Sequence, residues 1–118
     1  MAAIFQDLDG SFMKWGTETP LSGALEELTR FYKDGHQIVF TTQRKENDPS
    51  FNMEALRLFV KTHFPTAQIL YDLTSPRIVF NDAGAIAIQH PKDKPWHYDL
   101  LAMIEEQEEK VHEEKEKE

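Results

Sequence analysis

The chain has 118 residues, a hydrophobic content of 40% and a formal net charge of −8 at pH 7. This length suits one compact domain rather than two. The lack of cysteine excludes disulfides and thiolate metal sites, and no apolar run approaches the roughly 20 residues of a membrane-spanning helix. The negative charge argues against general nucleic-acid binding, because phosphate backbones are bound by clustered Lys and Arg. We therefore expect a cytoplasmic protein that binds neither nucleic acid nor membrane.

Short apolar or β-branched runs alternate along the chain with runs of helical period. The predicted strands lie at residues 2–6, 37–41, 67–71, 77–81 and, more weakly, 85–88. The predicted helices begin at Thr19-Pro20, at Asp48-Pro49 and near residues 95–98. This alternation indicates the α/β class: one three-layer, Rossmann-like domain with a mainly parallel sheet of about five strands.

After Ile104 the sequence becomes almost entirely charged. Residues 105–118 include eight Glu and three Lys, so much of the net negative charge lies at this end of the chain. We predict a domain core at residues 1–104, followed by an acidic helix or tail at residues 105–118. A solvated helix and a partner-binding tail both stay open as its role.

Polar residues that directly follow strands are the candidate site residues, because parallel sheets bind ligands beyond the carboxyl ends of their strands. Three groups meet this condition, namely Asp7 and Asp9, Thr41 and Thr42, and Asn81 and Asp82. Two carboxylates two residues apart, followed by Gly10, suit a tight turn that holds a hard cation and cradles an anion. Magnesium fits this set, since it prefers a few carboxylates together with water and phosphate oxygens.

Three segments of the chain resemble motifs of the haloacid dehalogenase superfamily, and they occur in the family's order. Residues 4–11 are similar to its first motif, an apolar strand followed by Asp-x-Asp-Gly-Thr/Ser. Residues 35–44 resemble the second motif, a strand that ends in Thr or Ser, and residues 77–82 resemble the fourth, an apolar strand that ends in acidic residues. The resemblance covers about residues 2–90, and it implies the family's Rossmann-like fold.

The gaps where this family carries a cap domain are short in this chain. Residues 12–19 have room only for a flap, with Lys14 and Trp15 near the mouth of the site. The chain therefore resembles a capless, minimal member of the family. It is also faintly similar to small phosphatases associated with capsular polysaccharide and phage-encoded sugar metabolism, so the expected substrate is a phosphorylated small molecule or a sugar phosphate.

The resemblance implies a magnesium-dependent phosphatase that forms an aspartyl-phosphate. Asp7 would be the nucleophile, and Asp9 would be the general acid and base. Mg²⁺ would be held by Asp7, by Asp82 and by the backbone carbonyl of Asp9. Thr42 is preferred to Thr41 as a donor to the phosphoryl group, because it gives the Thr-x-Arg spacing. The implied phosphate site comprises Asp9, Gly10, Thr42, Gln43 and Arg44.

The Lys of the family's third motif has no counterpart between the third and fourth predicted strands. Only residues 72–76 separate these strands, too few for a helical crossover. Arg77 is the predicted catalytic cation in its place, with Lys61 and Lys92 as alternatives, although Arg and Lys are not equivalent in a tight site. Two other functions stay open: a non-catalytic phosphate-ligand or partner-binding module, and a phosphotransferase with the same intermediate. The oligomeric state is open as well.

Overall fold

The computed structural model describes residues 1–82 and 84–117. Its elements in chain order are β1 (Ala3–Asp7), α1 (Ala24–Lys33), β2 (Gln37–Thr41), α2 (Met53–His63), β3 (Gln68–Leu70) and α3 (Leu100–Lys117). The strands form a parallel sheet in the order β1-β2-β3, with Asp7 paired to Thr41 and Thr41 to Leu70. The predicted α/β class and parallel pairing are thus confirmed, in a three-stranded form.

The central strand β2 is covered on both faces, since its residues from Ile38 to Thr41 are all buried. Phe40 packs against Phe12 and Phe64, with ring centroids 5.4 and 5.6 Å apart. Phe12 also contacts Trp96, at 6.1 Å between ring centroids. Because Phe12 follows the predicted acidic turn in sequence, this close-packed cluster fixes the position of the turn relative to the sheet.

The first helix begins later than predicted, at Ala24 instead of Pro20. Pro20 pairs with Met13 in an isolated antiparallel bridge, and the Leu21 N–H donates to the Phe12 carbonyl at 2.8 Å. These contacts hold residues 12–21 as an extended, folded-back flap. Tertiary pairing therefore overrides the local helix-start signal.

The second helix also begins later than predicted. The Asp48 carboxylate accepts a hydrogen bond from the Ser50 N–H at 3.0 Å, which makes a local turn instead of a helix cap. The cap is Asn52, whose side chain accepts a hydrogen bond from the Ala55 N–H at 3.1 Å. Helix α2 then runs from Met53 to His63.

The third helix begins at Leu100, beyond the predicted start near residues 95–98. The Trp96 N–H donates to the Ser22 carbonyl at 2.8 Å, which anchors the preceding segment to the start of α1. Asp99 caps α3 by accepting a hydrogen bond from the Ala102 N–H at 3.1 Å. The helix continues to Lys117, so it crosses the boundary predicted at residue 104; Glu118 lies outside the described residues.

The prediction of five strands is wrong for the described part of the chain. Residues 77–81 and the described residues of 85–88 are not in strands, and Ile78, Val79 and Phe80 are 77%, 80% and 95% exposed. A β-branched or aromatic composition favours a strand only where a neighbouring strand supplies a partner, and these residues pair with none of the three. None of the helices in the described residues has the length and apolar character needed to cross a membrane.

Candidate functional site

A compact turn follows β1 and carries the two carboxylates of the first motif. Leu8 is fully buried, and its N–H extends the pairing with β2 by donating to the Thr41 carbonyl at 3.0 Å. Gly10 has a φ of +82° and donates its N–H to the Met13 carbonyl at 2.7 Å. The positive φ suits glycine, because other residues are strained there. Asp7 and Asp9 therefore flank a buried residue at the carboxyl edge of the sheet.

Asp7 is the more accessible of the two carboxylates, with 38% of its side chain exposed. Its Oδ2 accepts a hydrogen bond from the Ser11 hydroxyl at 3.2 Å, and its Oδ1 accepts one from Nη1 of Arg77 at 3.1 Å. Burial raises the pKa of Asp7, and the charge of Asp9 adds to this, while Arg77 and the Ser11 hydrogen bond act in the opposite direction. Asp7 thus combines access to solvent with a neighbouring cation.

Asp9 has a different environment, because its carboxylate is almost completely buried against Arg44. The two side chains are 7% and 2% exposed. Nε of Arg44 donates to both carboxylate oxygens at 3.1 Å, and Nη2 adds a further bond to Oδ1. The guanidinium carbon lies 4.1 Å from the centre of the Phe51 ring. Asp9 is therefore held in one orientation by a charged fork that is itself stacked on an aromatic ring.

The polar loop after β2 faces the acidic turn through Thr42. Its hydroxyl donates to Oδ2 of Asp9 at 3.1 Å and accepts a hydrogen bond from the Arg44 N–H at 3.1 Å. Thr41, by contrast, is the last residue of β2. Of the two threonines, the structure places Thr42 against the acidic turn. Its predicted contact with a phosphoryl group stays a prediction.

The other predicted phosphate ligands differ in accessibility. Gly10 is buried within the turn, and Gln43 is exposed beside Thr42. Arg44 uses Nε and Nη2 to bind Asp9, and within the described residues its buried Nη1 has no hydrogen-bond partner. The guanidinium is thus oriented by a carboxylate of the protein, and only Nη1 is left for a further acceptor.

Arg77 reaches Asp7 because the connection after β3 crosses the carboxyl edge of the sheet. The Asp72 N–H donates to the Arg44 carbonyl at 2.8 Å, and the Leu73 N–H donates to the Thr42 carbonyl at 3.0 Å. The chain then passes from β3 over the end of β2 towards β1. The predicted catalytic cation, Arg77, is consequently the one that the structure places on the predicted nucleophile.

The two alternative cations lie in different places. Lys61 is in the last turn of α2, which connects two parallel strands. The end of such a helix lies near the amino edge of the sheet, away from the acidic turn. Lys92, in contrast, lies against the turn, since its Cγ is 3.2 Å from the position that a Cβ on Gly10 would occupy. Lys92 is therefore a second cation at the site.

Asp82 is exposed, in the segment that follows Phe80. The described residues contain no group of three or more His, Cys, Asp or Glu side chains positioned to hold a metal ion. Asp82 therefore does not form such a group with Asp7 and Asp9. Of the predicted magnesium ligands, the carboxylate of Asp7 and the backbone of Asp9 belong to the same turn, and the place of Asp82 as a third ligand stays a prediction.

Comparisons of the chain with protein-family models, curated proteins and solved structures find no match. The resemblance to the haloacid dehalogenase superfamily consequently rests on the three motifs alone.

Several contacts at the site were not predicted from the sequence. The contact made by Ser11 is the one that the sequence comes nearest to indicating, because a hydroxyl residue directly after Asp-x-Asp-Gly is part of the motif. Phe51, which stacks on Arg44, lies in a loop without a recognisable pattern. Asp93 accepts a hydrogen bond from the Trp15 N–H at 2.7 Å, and 78 positions separate these residues in the sequence. No local pattern could have indicated that contact.

Proposed function

We propose that this chain is a magnesium-dependent phosphatase that hydrolyses phosphate monoesters through an aspartyl-phosphate on Asp7. The observation that supports this proposal best is the difference between the two carboxylates of one turn. Asp7 is partly exposed beside Arg77, whose side chain is 33% exposed, whereas Asp9 is buried and fixed by Arg44. A nucleophile needs access to its substrate, and a proton carrier needs a defined position.

In the proposed reaction, an oxygen of Asp7 attacks phosphorus and the bond to the ester oxygen breaks. Asp9 supplies the proton that the departing alcohol takes up. Water then attacks phosphorus, the bond to Asp7 breaks, and Asp9 recovers its proton. Arg77 donates to Asp7 from 3.1 Å, so a phosphoryl group on that carboxylate would lie beside its guanidinium. Charge developing on the phosphoryl oxygens would be stabilised there.

The proton-transfer role requires that Asp9 exchange one of its hydrogen-bond partners. Both of its oxygens accept hydrogen bonds, from Arg44 and from the Thr42 hydroxyl. A carboxyl group in this arrangement acts only as an acceptor. After Asp9 releases one of these partners it can take up a proton from solvent and then pass it to the departing alcohol, and Thr42 can donate its hydroxyl to a phosphoryl oxygen. Substrate binding is the event that we expect to exchange these contacts.

The residues at the turn fit magnesium by their chemistry. Asp7 and the carbonyl of Asp9 are hard oxygen donors. Burial raises the pKa of Asp7 and the charge of Asp9 adds to this, so a divalent cation beside Asp7 would favour its ionised form. When bound, the metal would neutralise the negative charges of Asp7 and the phosphoryl group. Asp82 is the further ligand proposed from the motif.

The test is hydrolysis of 4-nitrophenyl phosphate with Mg²⁺, with a chelator, and with the Asp7→Asn variant. Asp72→Asn is a matched control, because Asp72 is exposed and has a φ of +58°, which asparagine also tolerates. We expect turnover that requires Mg²⁺, survives Asp72→Asn and is abolished by Asp7→Asn. Turnover that survives Asp7→Asn would refute the mechanism.

A second candidate function is a non-catalytic module that binds a phosphorylated ligand or a partner. It is favoured by the ion pairs, because both carboxylates of the turn are already neutralised by arginines of the chain. Binding of inorganic phosphate by the unaltered protein, without turnover of any phosphate ester, would support this function over the first. A phosphotransferase would instead transfer the phosphoryl group to an added alcohol faster than to water.

A further inference from the structure

Trp15 is a large aromatic residue held with half of its surface exposed, at the tip of the flap formed by residues 12–21. The flap is closed by a hydrogen bond from the Lys14 N–H to the Thr19 carbonyl at 2.9 Å and by a turn in which the Thr17 N–H donates to the Lys14 carbonyl at 3.0 Å. Exposed single aromatics are common on surfaces, so exposure alone decides nothing. Its attachment to the acidic turn is what distinguishes Trp15.

The attachment is made by the segment around Lys92 and Asp93. The Asp93 N–H donates to the Gly10 carbonyl at 2.8 Å, and the Asp93 carboxylate accepts the Trp15 N–H at 2.7 Å. Asp93 has a φ of +59°, a conformation that few residues other than glycine adopt. One residue thus joins the backbone of the flap to the backbone of the acidic turn, and Trp15 is fixed beside the predicted phosphate site.

Lys92 completes this arrangement. Its Nζ lies 5.0 Å from the centre of the Trp15 ring, while its Cγ lies against Gly10. The ammonium group, with three hydrogen-bond donors, lies over one face of the half-exposed indole ring. Such a pair suits a ring in the ligand, because a ligand ring can stack on the part of the indole that Lys92 leaves uncovered while hydroxyl groups on that ring reach the ammonium group.

We infer that Trp15 and Lys92 form a subsite for the alcohol part of a phosphate ester, and that this alcohol contains a ring. The inference rests on the proposed function in one respect, since the phosphoryl group is taken to lie at the acidic turn. The shared chemistry of the ligand is a ring face that can stack on the indole, which either a sugar or an aromatic group provides. In this arrangement the flap takes over the recognition that a separate cap domain would supply.

The test uses phosphonates, which carry carbon in place of the ester oxygen and cannot be hydrolysed. Binding of benzylphosphonate, of the 6-phosphonate analogue of glucose and of propylphosphonate is measured by calorimetry in the presence of Mg²⁺. We expect at least one ring compound to bind about five- to tenfold more tightly than propylphosphonate, in line with aromatic stacking. The ring compound with the larger increase in affinity over propylphosphonate shows whether the subsite prefers a sugar or an aromatic group.

The variants assign this preference to the subsite. Trp15→Ala should lower the affinity for the ring compound to about that for propylphosphonate in the same variant, and Trp15→Phe should retain most of the preference for the ring. Leu58→Ala is the control, because Leu58 is an exposed apolar residue on α2. Circular dichroism establishes that each variant is folded.

The inference is overturned if the unaltered protein binds all three phosphonates equally, binds none of them, or keeps its ring preference in Trp15→Ala. Its failure is distinct from failure of the proposed function. Turnover of 4-nitrophenyl phosphate without any ring preference would leave the phosphatase and remove the subsite. A ring preference that depends on Trp15, in a protein without turnover, would leave the subsite and remove the phosphatase.

Discussion

Nε of Arg44 donates to both carboxylate oxygens of Asp9, at 3.1 Å each, across 35 positions of sequence. The pair is almost fully removed from solvent, with 7% of Asp9 and 2% of Arg44 exposed. Because a buried charge is costly without its partner, each residue depends on the other for its place in the fold. The same pair fixes the carboxylate to which we assign proton transfer. Variants are therefore needed to distinguish its contribution to stability from its contribution to catalysis.

Replacement of Arg44 by Met should lower the free energy of unfolding by about 3–5 kcal/mol, since it leaves the Asp9 charge buried and unpaired. Urea denaturation followed by circular dichroism measures this loss. Arg30→Met is the control, because Arg30 pairs with Glu27 and Asp99 at the surface, and little change is expected. The double variant Asp9→Asn/Arg44→Met should recover part of the loss. Equal effects of Arg44→Met and Arg30→Met would contradict the prediction.

Replacement of Asp7 by Asn should stabilise the protein at neutral pH. The pKa of Asp7 is raised in the fold, chiefly by burial, so the native state binds its proton more readily than the unfolded state does. Stability from that proton is present below the ordinary value of 3.8 and is lost as the pH rises through the raised pKa. Asparagine has no titrating proton, so the Asp7→Asn variant does not lose this stability as the pH rises. Because the side chain is more than a third exposed, we expect a gain of less than about 1 kcal/mol.

Denaturation of the Asp7→Asn variant across pH 3–8 should therefore show its advantage fading as the pH falls towards about 4. Asp48 supplies a control of opposite sign, because backbone N–H donors lower its pKa. In Asp48→Asn the difference from the unaltered protein should change with pH in the other direction. An Asp7→Asn advantage that grows at low pH would show that the sign is wrong.

Replacement of Arg77 by Ala should slow hydrolysis and shift its pH dependence. We expect kcat/KM for 4-nitrophenyl phosphate to fall about 100- to 1,000-fold, as when an enzyme loses one donor that stabilises developing charge. Arg77 also lowers the pKa of Asp7, so its removal should move the acidic limb of the pH–rate profile to higher pH. Lys61→Ala, a change remote from the site, should alter neither quantity. Faster turnover in Arg77→Ala would mean that Arg77 instead blocks the nucleophile.

Magnesium and phosphate should bind cooperatively. The turn supplies few oxygen ligands, and phosphate oxygens are the ligands that Mg²⁺ usually adds in such sites. We expect saturating inorganic phosphate to tighten the binding of Mg²⁺ by at least about fivefold, a typical coupling between sites. Calorimetric titration of Mg²⁺ with and without phosphate measures the coupling, and Asp7→Asn should abolish it. Identical Mg²⁺ affinities in the two titrations would count against a shared site.

The features that the sequence predicted correctly depend on short-range patterns. The apolar runs at 2–6, 37–41 and 67–71 coincide with the three observed strands to within one residue at each end. Each of them pairs with a neighbouring strand of the sheet. The run at 77–81 has a similar composition but pairs with no strand in the described part of the chain, and its side chains are left exposed. Strand propensity alone does not distinguish these two outcomes.

The same limit applies to the site. The order of the motifs predicted that Asp9, Thr42 and Arg44 would lie together, and they do. The partner of Arg44 was predicted to be a phosphate, whereas the structure gives it a carboxylate of the chain. A guanidinium fork binds either anion with the same geometry, so the sequence cannot indicate which one is present. Trp15 and Asp93 meet only because the whole chain is folded.

Because of the connection that crosses the carboxyl edge of the sheet, local opening should break the ion pair of Asp7 more often than that of Asp9. Asp9 is tied to the loop that directly follows the central strand, whereas Asp7 is tied to an arginine that precedes the exposed Ile78–Phe80 segment. Segments with few buried contacts open at much lower free energy than the core. Fluctuations should therefore detach Arg77 many times for each global unfolding event. Hydrogen exchange should accordingly be faster at the Leu73 amide than at the Leu8 amide, and each opening would uncover Asp7 while Asp9 stays paired.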